Sequence, residues 1–542
     1  MDTGCRARRP PNQDALDSRP GIGSWIHRWA SAAESVSGLL IGLSLGGVIG
    51  GLLIGFGSIF GSDASTWFIV VGWGSAAVAG GVAIPRALAR RLTGRATNPE
   101  GGESRSGCRP ATNRLPAWTQ WLDSRIVVRL DRGDGTRLWL SLAGICLAAG
   151  LWVAVLPLFV AGADRVQLWC FDHFVWAPWA LNLLQLFVFL GACTAPLTLL
   201  GTAVAVQCRL VDIKGQHSGP GMGGVLLGVA LGVALCSTLH RSSLPSNALL
   251  AAASVPLFVV TILAVQTSKR TGRAGVHDQA AADRARCDSD SDKPQRPPWM
   301  AIVIPSCAAI AAVMWCRLLT VITDRGSIYG TMAASALLAS AAAGMCWAGR
   351  RRTHTFAVSS PGSWGRSGRS LAVSAAGGFV AFQGLAALGN GVLTDSWERS
   401  AGWLVAGVAM LGTQFLLGCA TGHALRVADD RSSRWSSGVL PSLVAVVLAV
   451  GLSLGVVVPL SLNGLGMGAT ALLPVLTLLG LAVAERLLDR ATSVGRRGVE
   501  LALLGLLFVA MLGSLSPMNQ VWDRYNRVES LTYHTPAANY RP

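Results

Sequence analysis

The chain has 542 residues, of which 51% are hydrophobic and only 13% charged. A soluble domain carries roughly 25% charged residues, so a string of soluble domains is excluded. The formal net charge of +17 is not a nucleic-acid footprint, because the basic residues lie in short stretches beside apolar runs, as topology signals do.

Residues 1–24 are polar and Pro-containing, too long and too Pro-rich for a signal peptide. They read as a disordered cytoplasmic tail. Runs of about 20 apolar residues then recur, and about 20 is what a helix needs to cross a ~30 Å hydrocarbon core. The expected spans lie near 35–60, 67–88, 138–161, 180–206, 221–239, 245–266, 299–322, 329–348, 371–394, 402–425, 439–462, 465–485 and 498–516. Helix is the only assignment lipid allows, since open sheet edges find no partners there. The expected fold is all-α and polytopic, with about 13 transmembrane helices.

Arginine sets the orientation. Arg90, Arg91 and Arg95, then Arg209 and Lys214, Lys269, Arg270 and Arg273, Arg350, Arg351 and Arg352, Arg426, Arg431 and Arg434, and Arg490, Arg496 and Arg497 all fall in every second connection. The alternate connections carry only Arg165, Arg241, Arg325 and Arg399. The positive-inside rule puts the N-terminus and the basic loops, including 89–137, in the cytoplasm. A thirteenth span at 498–516 then leaves the tail 517–542 outside. The Arg-rich, Lys-poor usage reads as a high-GC bacterial gene, so the expected location is a bacterial inner membrane.

The polar stretch 267–298 divides twelve spans into six and six, 25–266 and 299–486. A slack tether between two helical bundles is what a duplicated, transporter-like fold requires. An internal echo supports it. "LLGTAVAVQCR" (Leu199 to Arg209) and "LLGCATGHALR" (Leu416 to Arg426) close the fourth and tenth spans alike. "RALARR" and "AGRRR" close the second and eighth.

Glycines at every fourth position mark close helix contacts: Gly42, Gly46 and Gly50 in the first span, with Gly47, Gly51 and Gly55 beside them, and Gly224, Gly228 and Gly232 in the fifth. The spans contain no carboxylate away from their ends, where Glu34, Glu485 and Glu500 sit. Such a residue is the usual mark of a proton-coupled site. Arg317 lies near the outer end of its span and can snorkel. Asn182, Gln185, Gln383, Asn390 and Gln414 are the uncharged polar residues within spans. They read either as helix-to-helix hydrogen bonds or as substrate-facing groups at the interface of the halves. His423, near a helix end, reads as interfacial. Trp169, Trp176 and Trp179 suit the headgroup belt, while Asp172 and His173 make neither a metal site nor a catalytic base. The cysteines show no paired spacing, so zinc and c-type haem have no sequence basis. "GPGMGG" (219–224) precedes a membrane helix, not the strand–turn–helix of a phosphate loop. No cofactor and no catalytic constellation is expected.

"PLTLLGTAVAVQCR" followed by "GPGMGGVLLGVALGVAL" resembles a hairpin in the membrane region of fused transporter-like/spermidine synthase proteins, through Pro196, Gly201, Arg209, Gly224, Gly228 and Gly232. The resemblance implies a major-facilitator-like helical region. That family's soluble aminopropyltransferase-like domain has no counterpart in this sequence, so no catalytic residue is carried over. Two functions follow. One is a membrane scaffold for a separately encoded, synthase-like protein. The other is a secondary transporter of a small polar or cationic solute. The lipid bilayer is the partner of both, and nucleic acid of neither.

Overall fold

A computed structural model describes residues 22–60, 70, 73–82, 135–174, 178–213, 218–242, 244–274, 300–323, 326–350, 363–389, 393, 395–429, 445–446, 449–450, 467–488 and 494–513. Among these residues every regular element is a helix. In chain order they are α1 (Ile22–Phe60), α2 (Gly135–Phe174), α3 (Pro178–Ile213), α4 (Ser218–Arg241), the short α5 (Ser246–Ala252), α6 (Val255–Ala274), α7 (Met300–Thr323), α8 (Gly326–Arg350), α9 (Ser363–Gly389), α10 (Ser396–Asp429), α11 (Met467–Leu488) and α12 (Val494–Gly513). A further helical stretch covers 74–82.

Among the described residues eight helical stretches are long and apolar enough to cross a membrane: Trp29–Phe56, Gly135–Gly162, Gly191–Val211, Gly221–Arg241, Ser246–Arg270, Gly330–Ala348, Ser370–Gly389 and Ser396–Leu425. Met300–Cys316, Pro474–Ala484 and Gly498–Gly513 are shorter apolar helices. Most of the expected span 439–462, part of 67–88, most of the loop 89–137 and of the linker 267–298, and the tail 517–542 lie outside the described residues.

Side-chain exposure is inverted relative to a soluble protein. Leu151, Val155 and Leu158 on α2, Val255, Val259 and Ile262 on α6, and Leu404, Val408 and Leu411 on α10 all face outward. Their spacing of three and four residues makes each row one helix face. Exposed apolar faces on so many helices are stable against acyl chains and not against water.

The buried residues fall into two clusters. One draws on residues from Ala33 to Ala264, joined by Met345 and Leu425. The other runs from Ile304 to Met511. In the first group α1 lies chiefly along α4 and also packs on α6 and α3, while α2 packs on α3 and α6. In the second, α7 packs on α8, α10 and α11, while α9 packs on α10 and α11. Between the groups, α4 lies along α8 and also touches α10.

One expected span is interrupted. The sequence reads 245–266 as a single helix, but the chain turns at Ala253–Ser254 between α5 and α6. Pro256 cannot donate to the turn before it, which weakens the helix there. Ser44 Oγ donates to the Ala253 carbonyl at 2.7 Å, and Ser254 Oγ to the Ala251 carbonyl at 2.7 Å. These hydroxyls meet carbonyls that an unbroken helix would have satisfied itself.

Candidate functional site

Three features stand out where helices meet. The first is the crossing of α1 and α4. A methyl at Gly42 would strike the Val225 carbonyl oxygen, and one at Gly46 that of Val229. From the other side, Gly228 abuts the Leu39 carbonyl and Gly232 that of Leu43. The two backbones are in direct contact, which only hydrogen at Cα permits. Gly50 meets the Cys236 side chain instead, 3.0 Å from its Cβ. Gly224 lies at the margin, 4.0 Å from the Ser35 carbonyl oxygen.

The second is a pair of similar crossings. A methyl on Gly81 would meet the Thr198 carbonyl oxygen and, at 2.9 Å, the Thr202 nitrogen. A methyl on Gly344 would meet the Phe415 carbonyl oxygen and, at 2.9 Å, the Cys419 nitrogen. Reciprocally, Gly201 abuts Val78 and Gly418 abuts Ala341. In each crossing the struck carbonyl lies one turn before a glycine, and the struck nitrogen belongs to the residue after it. Gly201 and Gly418 are the glycines of the two LLG stretches.

The third is a polar cluster where the beginning of α1 meets the ends of α3 and α6. Glu34 is 3% exposed and Gln207 1%. Gln207 Nε2 donates to the Glu34 carbonyl at 2.6 Å, and Ser37 Oγ donates to Gln207 Oε1 at 2.9 Å. Ser37 Oγ also lies 3.0 Å from the Glu34 carbonyl. The Arg270 guanidinium stands 4.4 Å over the Trp29 ring, a cation–π contact between α6 and α1. Arg209, Thr267 and Ser268 are buried on the same helix ends. α1 begins at Ile22, and Glu34 lies within two turns of the start of its apolar span at Trp29. A buried carboxylate on a membrane helix marks a functional site by default.

The sequence-selected polar residues are not gathered into one site. Gln414 Nε2 donates to the Ala308 carbonyl at 3.0 Å and so ties α10 to α7. Gln383 is half-buried on α9, and His423 half-buried on α10. The side chains of Asn182, Gln185, Asn390 and Arg317 lie outside the described residues. Sequence reasoning passed over Trp315 and Thr413. Among the described residues Trp315 Nε1 and Thr413 Oγ1 are buried with no hydrogen-bond partner, beside the Gly377–Gly378 step of α9. Nothing in their spacing singled them out. Among the described residues no three or more His, Cys, Asp and Glu side chains form a group able to hold a metal.

Helix length, apolar exposure and the two packed groups define a polytopic helical architecture of the membrane class. No protein-family model matches the chain, and no curated protein matches it.

Proposed function

We propose that this chain is an integral membrane protein of two like six-helix halves with one further C-terminal helix, built as a major-facilitator-like secondary transporter of a small polar or cationic solute. The observation that carries this reading is that Gly81 crosses Gly201 and Gly344 crosses Gly418, glycines of the second and fourth and of the eighth and tenth expected spans. The contact geometry itself is that of any close glycine crossing, as Gly228 shows against Leu39 and Leu43; it is the shared offset of six spans that a duplicated chain explains. A seam of α4 against α8 then joins the halves, with Ser237 Oγ and Thr331 Oγ1 hydrogen-bonded across it at 2.8 Å. Two bundles meeting along a seam suit alternating access by rigid-body rocking. The broken α5–α6 helix is a further transporter-like device. Glu34 supplies an ionisable group for coupling, near what the arginine pattern makes the cytoplasmic face.

The test is uptake by the purified chain in liposomes. Labelled polyamines, amino acids and monovalent metal ions are offered with and without an imposed pH gradient. Accumulation of one class is expected, falling by an order of magnitude or more in Glu34→Gln.

A second reading, a membrane scaffold for a separately encoded synthase-like protein, is favoured by the Gln414–Ala308 bond, which engages a candidate substrate-facing side chain in helix packing. Absence of uptake for every class, together with co-purification of a soluble aminopropyltransferase-like partner, would replace the first reading with this one.

A further inference from the structure

Two polar atoms in the second group of helices are left over by the packing. Trp315 on α7 is fully buried, and Thr413 on α10 is 3% exposed. Among the described residues neither Trp315 Nε1 nor Thr413 Oγ1 has a hydrogen-bond partner. Both side chains meet α9 at the same place. The position a methyl on Gly378 would take lies 3.8 Å from Trp315 Cζ2 and 3.9 Å from Thr413 Cγ2. Val475 Cγ2, from α11, stands 3.1 Å from that point. A methyl on the preceding Gly377 would lie 2.5 Å from Thr413 Oγ1 itself. Glycine at 377 and 378 therefore keeps room beside both groups. The place is near mid-bilayer, since Thr413 and the glycine pair lie near the middle of the spans Ser396–Leu425 and Ser370–Gly389.

A threonine on a helix can donate to the carbonyl four residues back. Thr202, Thr238, Thr261 and Thr267 all do so, at 2.8 to 3.0 Å. Thr413 forgoes that bond and turns its hydroxyl toward α9. A buried indole N–H ordinarily finds an acceptor too. The Trp315 ring packs on Phe382, with centroids 5.7 Å apart, and its N–H is still unused. Leaving a buried donor unmet is costly, and two in one place point to an occupant that supplies the acceptor. Indole N–H only donates, and it offers a metal ion no lone pair. The groups nearest Gly377 and Gly378 carry no charge, and neutral donors do not repay the desolvation of a carboxylate or an ammonium.

We infer that Trp315 and Thr413 form a binding subsite for a small neutral solute bearing hydroxyl or carbonyl oxygens, at the α7–α9–α10 contact. This inference rests on the transporter reading and narrows its solute from polar or cationic to neutral. Both donor atoms are shut from solvent in this conformation, so the solute enters when α7 and α10 part from α9, and its binding favours that state.

The test is equilibrium dialysis of the full-length protein in detergent against labelled glycerol, glucose and acetamide, with putrescine and acetate as charged controls. Saturable binding of one neutral probe is expected. Trp315→Phe and Thr413→Val each remove one donor and nearly keep the shape, and each is expected to weaken that binding about tenfold. Melting of the empty protein, followed by tryptophan fluorescence, separates a solute from a trapped water. With the hydroxyl unmet, Thr413→Val removes a cost, so the variant melts at the wild-type temperature or above it. A lower melting temperature would mean that the hydroxyl already has a lasting partner, such as a buried water, and would overturn the subsite. So would wild type that holds none of the neutral probes or holds the charged ones as tightly, and so would folded variants that bind like wild type. Liposome uptake separates this inference from the reading beneath it. A neutral probe bound but not carried overturns transport and leaves the subsite. Uptake of another solute, unchanged in both variants, overturns the subsite alone.

Discussion

Gly228 and Gly144 are the same residue in two different environments. Gly228 lies on the α1 backbone, against the Leu39 carbonyl oxygen and 2.7 Å, measured from a virtual Cβ, from the Leu43 nitrogen. Gly144 on α2 has open space where its Cβ would be. Gly228→Ala must push two helices apart, so it is expected to destabilise the protein by about 1–3 kcal/mol. Gly144→Ala relieves only backbone entropy and should be neutral or stabilising by about 0.5–1 kcal/mol. Thermal melting of the two variants in detergent, followed by tryptophan fluorescence, checks the contrast; equal shifts would refute the tight crossing. The four-residue glycine step of α1 and α4 was legible in the sequence because a repeated small residue marks a face. Gly81 and Gly344 lack a glycine repeat, although Ala336, Ser340 and Ala348 continue the small-residue step through Gly344. Their role comes from the helix that crosses them, which a local pattern does not encode. Glu34 stands within two turns of the start of the apolar span at Trp29, near the end where the sequence placed it, although the helix itself begins earlier, at Ile22.

Pro256 breaks its helix, yet Pro157, Pro196, Pro305 and Pro474 lie inside unbroken ones. Proline alone therefore did not announce the α5–α6 break. What distinguishes it is a hydroxyl on a neighbour: Ser44 of α1 reaches the Ala253 carbonyl. Gly47, one turn further along α1, leaves room for the turn, since a methyl there would stand 3.0 Å from Ala253 Cβ. Ser44→Ala removes the donor and leaves a buried carbonyl without it, at an expected loss of about 1–3 kcal/mol. Hydrogen exchange should speed up around residues 250–257 more than elsewhere in α6. Uniform exchange along the segment would show that the break holds itself without α1.

The outward rows of leucine and valine require a solvent of acyl chains. Helix length and apolar exposure do not say which end of each helix faces inward; the arginine asymmetry does. Reporter fusions at residues 110, 280 and 360 are expected to remain intracellular. A reporter exposed outside at any of the three would undo the orientation and the cytoplasmic position given to Glu34. The same arginines predict that the polar stretch 267–298 is reached by a protease only from the inner face.

The sequence alone determined that the chain is helical and apolar in membrane-length runs, because both follow from composition along a local segment and need no partner. It also marked the glycine faces of α1 and α4. The tertiary structure decided which helices touch, where α1 begins, where the sixth expected span breaks, and that Gln414 is engaged by Ala308. It alone brought the Cys208 sulfur within 3.9 Å of the Met222 sulfur. Those outcomes depend on contacts between residues far apart in the chain, and apolar helices of similar composition carry too little local variation to specify their neighbours in advance.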